Sequence, residues 1–174
     1  MTGLGVIDDG KILVTSSFDQ SLRIWRDQTA PESDIVDSTG ARITALRRSH
    51  SGRLLAIGDK AGTLRVRAMP GSNIRLETKQ DGDEIHDVAF SRDDRRIAIA
   101  HDRQLIVRQV DDDSASLEIK TPGKPFRSVA WSDDGSLILT GDDGGQILVW
   151  SAENGELIRR LDGHSERVSA LEFS

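Results

Sequence analysis

At 174 residues the chain fits one ordinary domain. A formal charge of −6, from 29 acidic against 23 basic residues, argues against a general nucleic-acid or anionic-membrane surface. Cysteine is absent, which excludes a disulfide framework and a thiolate metal site, and no apolar run approaches the roughly 18 residues that a helix needs to span a bilayer.

The opening MTGLGVIDDG lacks the basic-then-apolar form of a signal peptide, so a cytoplasmic location is expected. Leu4 and Val6 mark a first strand, which Asp9-Gly10 turns into a second run over 11–17. Phe18-Asp19-Gln20 turns the chain again, into SLRIW at 21–25. The polar stretch 27–39, with Pro31, reads as a loop carrying a short outer strand around Ile35-Val36.

The same plan follows three more times. The second unit has Ile43 and Leu46 directed inward, a turn at Ser51-Gly52, the runs LLAIG (54–58) and TLRVR (63–67), a turn at Pro70-Gly71 and an alternating outer strand over 73–79. In the third, Asp93-Asp94-Arg95 replaces the glycine-bearing turn, and the loop at His101-Asp102-Arg103 is one residue shorter than its counterparts. The fourth enters through 121–125, where two prolines stiffen the loop. It continues through FRSVAWSDDG (126–135), the glycine-rich turn 141–145, ILVW (147–150) and Asn154-Gly155, and is followed by Gly163-His164 and VSALEFS (168–174).

Two markers set the period. The third run of each unit closes on Trp25, Arg67, Arg108 and Trp150, at steps of 42, 41 and 42. The first run reaches Val6, Arg48, Phe90, Trp131 and Phe173, at steps of 42, 42, 41 and 42. Several strands recurring every 40 to 45 residues are the signature of a propeller blade. With Gly163-His164 ahead of a strand, the runs IHDVAFSRDD (85–94), FRSVAWSDDG and VSALEFS, and strands closing on Trp25 and Trp150, the chain resembles WD-repeat β-propellers over essentially its whole length.

The expected fold is therefore all-β: about four four-stranded antiparallel blades over 1–40, 41–83, 84–123 and 124–166, with 167–174 as the first strand of a further blade. Each blade presses both faces on its neighbours, so a stack of four leaves two apolar end faces to be covered. Three arrangements do this: a longer propeller, favoured by the stop after an inner strand; copies associating into one ring, the surplus strand adding to a neighbour; or a closed ring of four. The resemblance also implies a buried tetrad of hydroxyl, aspartate, tryptophan and histidine, onto which Thr15, Asp19, Trp25, Trp150 and His164 fall.

The residues give little support to catalysis. The tract 141–145 has no Lys-Ser/Thr ending and no following helix, so it is a hairpin turn and not a phosphate cradle. The acidic stretches 81–84 and 111–113 lack the rest of a calcium loop. The histidines at 50, 86, 101 and 164 are scattered and not spaced as ligands. No G-x-S-x-G elbow occurs. No enzyme activity, metal or cofactor is expected.

What the resemblance implies is binding: a rigid platform for protein or peptide partners, engaged through loops entering the first strands and turns between the second and third. By position that face presents Arg42, Thr44, Glu84, His86, Arg127 and Arg167, with Asp59, Lys60, His101, Asp142 and Asp143 on the turns. The expected function is a non-catalytic interaction scaffold, part of a larger sensor, signalling or assembly protein. One alternative is a structural module whose half-propellers associate. Another is a small-ligand or enzymatic propeller, which the small inner positions Ala45, Ala89, Ala130 and Ala170 disfavour.

Overall fold

The computed structural model describes residues 3–7, 12–17, 19–25, 34–38, 40–69, 73–80, 84–102, 104–112, 115–121 and 123–173. The expected turns at Asp9-Gly10 and Pro70-Gly71, and the loop around Pro31, lie outside the described residues. Among the described residues there is no helix, and hence none long and apolar enough to cross a membrane.

Four four-stranded antiparallel sheets follow one another along the chain. The first is β1 (Gly3–Ile7), β2 (Ile12–Ser16), β3 (Ser21–Trp25) and β4 (Asp34–Ser38). The second is β5 (Ile43–Arg48), β6 (Leu54–Asp59), β7 (Thr63–Ala68) and β8 (Ile74–Lys79). The third is β9 (Ile85–Phe90), β10 (Arg96–His101), β11 (Gln104–Gln109) and β12 (Ala115–Lys120). The fourth is β13 (Phe126–Trp131), β14 (Leu137–Asp142), β15 (Ile147–Ser151) and β16 (Leu157–Leu161). In each sheet spatial order equals chain order, because tight turns join only antiparallel neighbours. The first strands β1, β5, β9 and β13 lie side by side, and the sheets do not close into a ring.

Repeated turn chemistry holds the sheets in register. Ser49, Ser91 and Ser132 follow the first strands, and each hydroxyl accepts the amide five residues on, from Leu54, Arg96 and Leu137 at 3.2, 3.0 and 2.9 Å. Short hydroxyls do this where longer side chains cannot. Three residues further, Gly52, Asp94 and Gly135 take positive φ of 74°, 59° and 74°. Asp94 is thus a non-glycine residue at a left-handed position, as its place in the repeat implied.

Burial explains why the sheets stack. Three apolar clusters lie between successive sheets: Val14, Leu22, Ile24 and Ile43 between the first two; Leu64, Val66, Ile85 and Ile97 between the next; Ala100, Leu105, Phe126 and Trp150 between the last. Gly58 and Gly141, near the ends of β6 and β14, let the first strand of the next sheet and the segment at Val168, respectively, approach closely. A Cβ on Gly58 would stand 2.6 Å from Ile85 Cγ2, and one on Gly141 2.6 Å from Val168 Cβ. The outer strand β16 is exposed throughout, and Leu157, Ile158 and Leu161 are large apolar side chains left in solvent there.

Residues 167–173 dock at the place expected of a further first strand. Val168 is buried against Gly141, its amide donates to the Asp142 carbonyl at 3.0 Å, and its carbonyl accepts from Ser128 Oγ at 2.9 Å. It therefore sits where Ile85 and Phe126 sit in their sheets. Yet 162–173 form no ladder and are not a strand. The first strands β1, β5, β9 and β13 are each held by the strand that follows in the chain.

Candidate interaction face

The loops entering β5, β9 and β13, with the turns leaving β6, β10 and β14, place charged side chains from three sheets at one end of the stack. Arg42 Nη2 lies 3.1 Å from Glu84 Oε1, across two sheets, and the Arg42 side chain is 41% exposed. His86 Nε2 lies 3.4 Å from Asp102 Oδ1, within the third sheet. Arg127 Nη1 lies 2.9 Å from His86 Nδ1, while Arg127 Nη2 donates to Asp143 Oδ2 at 2.5 Å. Arg167 Nε donates to the other Asp143 oxygen at 2.7 Å, with a side chain 58% exposed.

Electrostatics follows from these contacts. Burial, and then the Arg127 guanidinium, hold the His86 pKa below its ordinary value, against the pull of the Asp102 hydrogen bond. Arg127 Nη1 lies within hydrogen-bond distance of both ring nitrogens of His86, 2.6 Å from Nε2 as well as 2.9 Å from Nδ1. The hydrogen bond from Arg127, joined by that from Arg167, keeps the Asp143 carboxyl below the usual carboxylate range. The same Asp143 contact raises Arg127. The result is a chain of contacts running Asp102, His86, Arg127, Asp143, Arg167, with the Arg42–Glu84 pair beside it.

Not every residue predicted for this face is on its surface. Asp59, 0% exposed, accepts from the amides of Ala61 and Thr63 at 2.8 and 2.9 Å. Asp142, 5% exposed, accepts from Gly144 and Gln146 at 2.8 and 2.9 Å. Both close the turn between second and third strands and are buried, not on the surface of the face; His101, at the same position of the third sheet, is 2% exposed. A turn whose amides point inward needs an acceptor there, and a carboxylate one strand-end away supplies it. Thr44 is likewise a tie between sheets, its hydroxyl bonding the Ile85 carbonyl at 2.5 Å.

The tetrad expectation divides in the same way. Trp25 Nε1 donates to Thr15 Oγ1 at 3.0 Å and Trp150 Nε1 to Thr140 Oγ1 at 2.9 Å. Asp19 caps its own turn, accepting from the Ser21 amide at 3.0 Å. His164 is exposed, and the Trp150 indole is satisfied by Thr140 without it. The two middle sheets lack both partners: where Thr15 and Thr140 stand they carry the fully buried Ile57 and Ile99, and where the tryptophans stand they carry Arg67 and Arg108, which pair across the ladder with Leu55 and Ile97.

Two residues escaped the sequence reading. Asp102 joins the network only because the shortened loop turns it, with φ of 37°, toward His86. Asp87 sits in the inner column that otherwise holds Ala45, Ser128 and Ala170. Its carboxylate takes the Val129 amide at 3.1 Å and Arg47 at 3.0 Å. A lone carboxylate in a column of small residues was the available signal.

Comparison with known proteins agrees with the succession of four-stranded sheets. The family model for the WD domain, G-beta repeat, matches residues 2–26, and that for the anaphase-promoting complex subunit 4 WD40 domain matches 115–174. Apoptotic protease-activating factor 1 of Danio rerio is 28% identical over 92% of this chain and 12% of its own length. The WD repeat-containing protein VIP3 of Arabidopsis thaliana is 26% identical over 96% of this chain and 57% of its own. The chain thus spans less than two thirds of these relatives. A crystal structure of the computationally designed Ika8 protein superposes with a TM-score of 0.81 at 22% identity, over 98% of this chain and 52% of that one.

Proposed function

Because the chain belongs to the WD-repeat family, we propose that it is a non-catalytic scaffold that binds protein or peptide partners through the charged end of its stack. One observation carries this reading: five charged or titratable side chains, Asp102, His86, Arg127, Asp143 and Arg167, are linked in one network, and the Arg42–Glu84 ion pair lies beside it at the same end of the stack. Loops held by a rigid scaffold are where recognition residues concentrate. Arg42 and Arg167 have exposed guanidinium groups that can take an acidic side chain bidentately, in exchange for or alongside their present contacts. Arg127, clamped between His86 and Asp143, is the fixed centre.

The test is charge reversal. Cross-linking mass spectrometry on protein isolated from cells is expected to lose the same partner peptides in Arg42→Glu and Arg167→Glu, and to keep them in Arg53→Glu, on the exposed turn at the opposite end. Retention in both face variants would remove this reading.

A second reading is favoured by the seating of Val168. A segment docked as a first strand, but without a ladder, offers its backbone to a further strand, and the exposed Leu157, Ile158 and Leu161 offer an apolar sheet to cover. On this reading the module assembles with additional sheets, from its own chain or another. Sedimentation of the purified protein distinguishes a monomer from a discrete assembly.

A further inference from the structure

A cavity of about 280 Å³ lies between the third and fourth sheets, bounded by the end of β12 and the β15–β16 hairpin, and shares no residue with the charged network. Its floor is aromatic and aliphatic. Phe126 meets Trp150 edge-on, with centroids 6.3 Å apart and planes at 79°, and Leu148 completes the buried wall. Leu157, an exposed apolar residue of β16, forms the lip.

The sequence explains why space exists here. Thr121 stands where the preceding repeat has Gln80, a buried residue. The shorter threonine cannot reach as far, and the gap remains. Its Oγ1 is buried without a hydrogen-bond partner among the described residues. An orphan hydroxyl in an apolar crevice costs free energy until a ligand group meets it.

Charge at the mouth specifies the occupant. Lys120 and Arg160 are exposed, line the opening, and pair with no carboxylate among the described residues. The one acid of the lining, Asp142, already accepts two turn amides. A free inorganic anion would leave the apolar floor wet, and a neutral hydrocarbon would leave both cations unmet. The volume falls just below the roughly 300 Å³ at which small-molecule pockets begin, so it suits one side chain and not a cofactor.

We propose that this crevice binds an acidic-apolar peptide segment of a partner protein. A leucine-sized side chain packs on Trp150 and Phe126, the adjoining carboxylate lies between Lys120 and Arg160, and the Thr121 hydroxyl donates to a peptide carbonyl.

Nitrogen-15 NMR of the full chain tests this with acetyl-Glu-Leu-amide as the probe. Saturable shifts are expected at the Thr121 and Gln146 amides and at the Trp150 indole N–H. Acetyl-Glu-Ala-amide should bind at least about tenfold more weakly, since three buried carbons are lost. Acetyl-Lys-Leu-amide should bind about fivefold more weakly, and the order of the two charged peptides should invert in Lys120→Glu/Arg160→Glu, whose altered residues are exposed. Thr121→Gln, which restores the residue of the preceding repeat, should abolish the shifts. If that variant disturbs the Trp150 indole signal before peptide is added, the charge-reversed protein decides alone. Absence of saturable shifts at the solubility limit, equal response to all three peptides, or unchanged preference after charge reversal would each overturn the proposal.

Discussion

The Asp87 carboxylate of β9 accepts the Val129 amide of β13 at 3.1 Å, so one side chain takes the place of a ladder bond between two separate sheets. Its second oxygen lies 3.0 Å from Arg47 Nη2 of β5, which extends the tie to a third sheet. Replacing Asp87 by Ala leaves a buried amide without an acceptor, and a loss of about 1–3 kcal/mol in denaturant unfolding is expected. Asp87→Asn keeps an oxygen for Val129 and should lose less.

The same residue gives a pH signature. Burial raises the Asp87 pKa above its usual 3.8, outweighing the pull of Arg47. A group whose folded pKa is raised binds its proton more tightly in the folded state, so its stabilising contribution is complete below 3.8 and falls as pH rises through the folded value. Relative to Asp87→Asn, the parent protein should therefore lose stability as pH climbs from 3.8 through that value. The difference between the two proteins cancels the opposite trend of Asp19, Asp93, Asp134 and Asp143, whose pKa values are lowered.

His86 offers a second titration. Removing the neighbouring cation in Arg127→Gln should move the His86 pKa upward, toward 6.5, while burial, the larger cause, keeps it below that value. A depressed histidine contributes stability above its unfolded pKa and loses it as pH falls through the folded one. The parent protein is thus expected to weaken below about pH 6.5, and the variant less steeply. Carbon-bound ring-proton shifts of His86 followed against pH check both statements.

Trp150 and Thr140 form a buried pair that the middle sheets lack. Thr140→Val should cost about 1–3 kcal/mol, because the indole N–H is left unsatisfied. In the second sheet, neither Ile57→Thr nor Arg67→Trp alone supplies both partners. The double variant should be more stable than the sum of the single changes by about 1 kcal/mol, measured as a coupling energy in a double-mutant cycle.

Gly58 and Gly141 test the close approach of successive sheets. In Gly58→Ala the new methyl group meets Ile85 and Ala45 inside a stack, and cooperative unfolding should shift by about 1–3 kcal/mol. In Gly141→Ala it meets Val168 and Ser128 Oγ, where the neighbour is a docked segment and not a sheet. Undocking should make cleavage after Arg167 faster in limited proteolysis, with little change in the main unfolding transition.

Sequence alone determined the repeat, because turns and strand-closing residues are local matters. The repeat period and the 41-residue step at His101 were readable from spacing, and both reappear as geometry. Stacking decided the rest. Asp59 and Asp142 look like surface turn charges until the turn amides claim them, and Asp87 looks like an ordinary strand residue until a neighbouring sheet brings Val129 to it. Which polar groups of one sheet satisfy those of the next depends on close approach between segments some 40 residues apart. Only the packed structure, by choosing which faces meet, separates a carboxylate that holds the fold from one left free to bind.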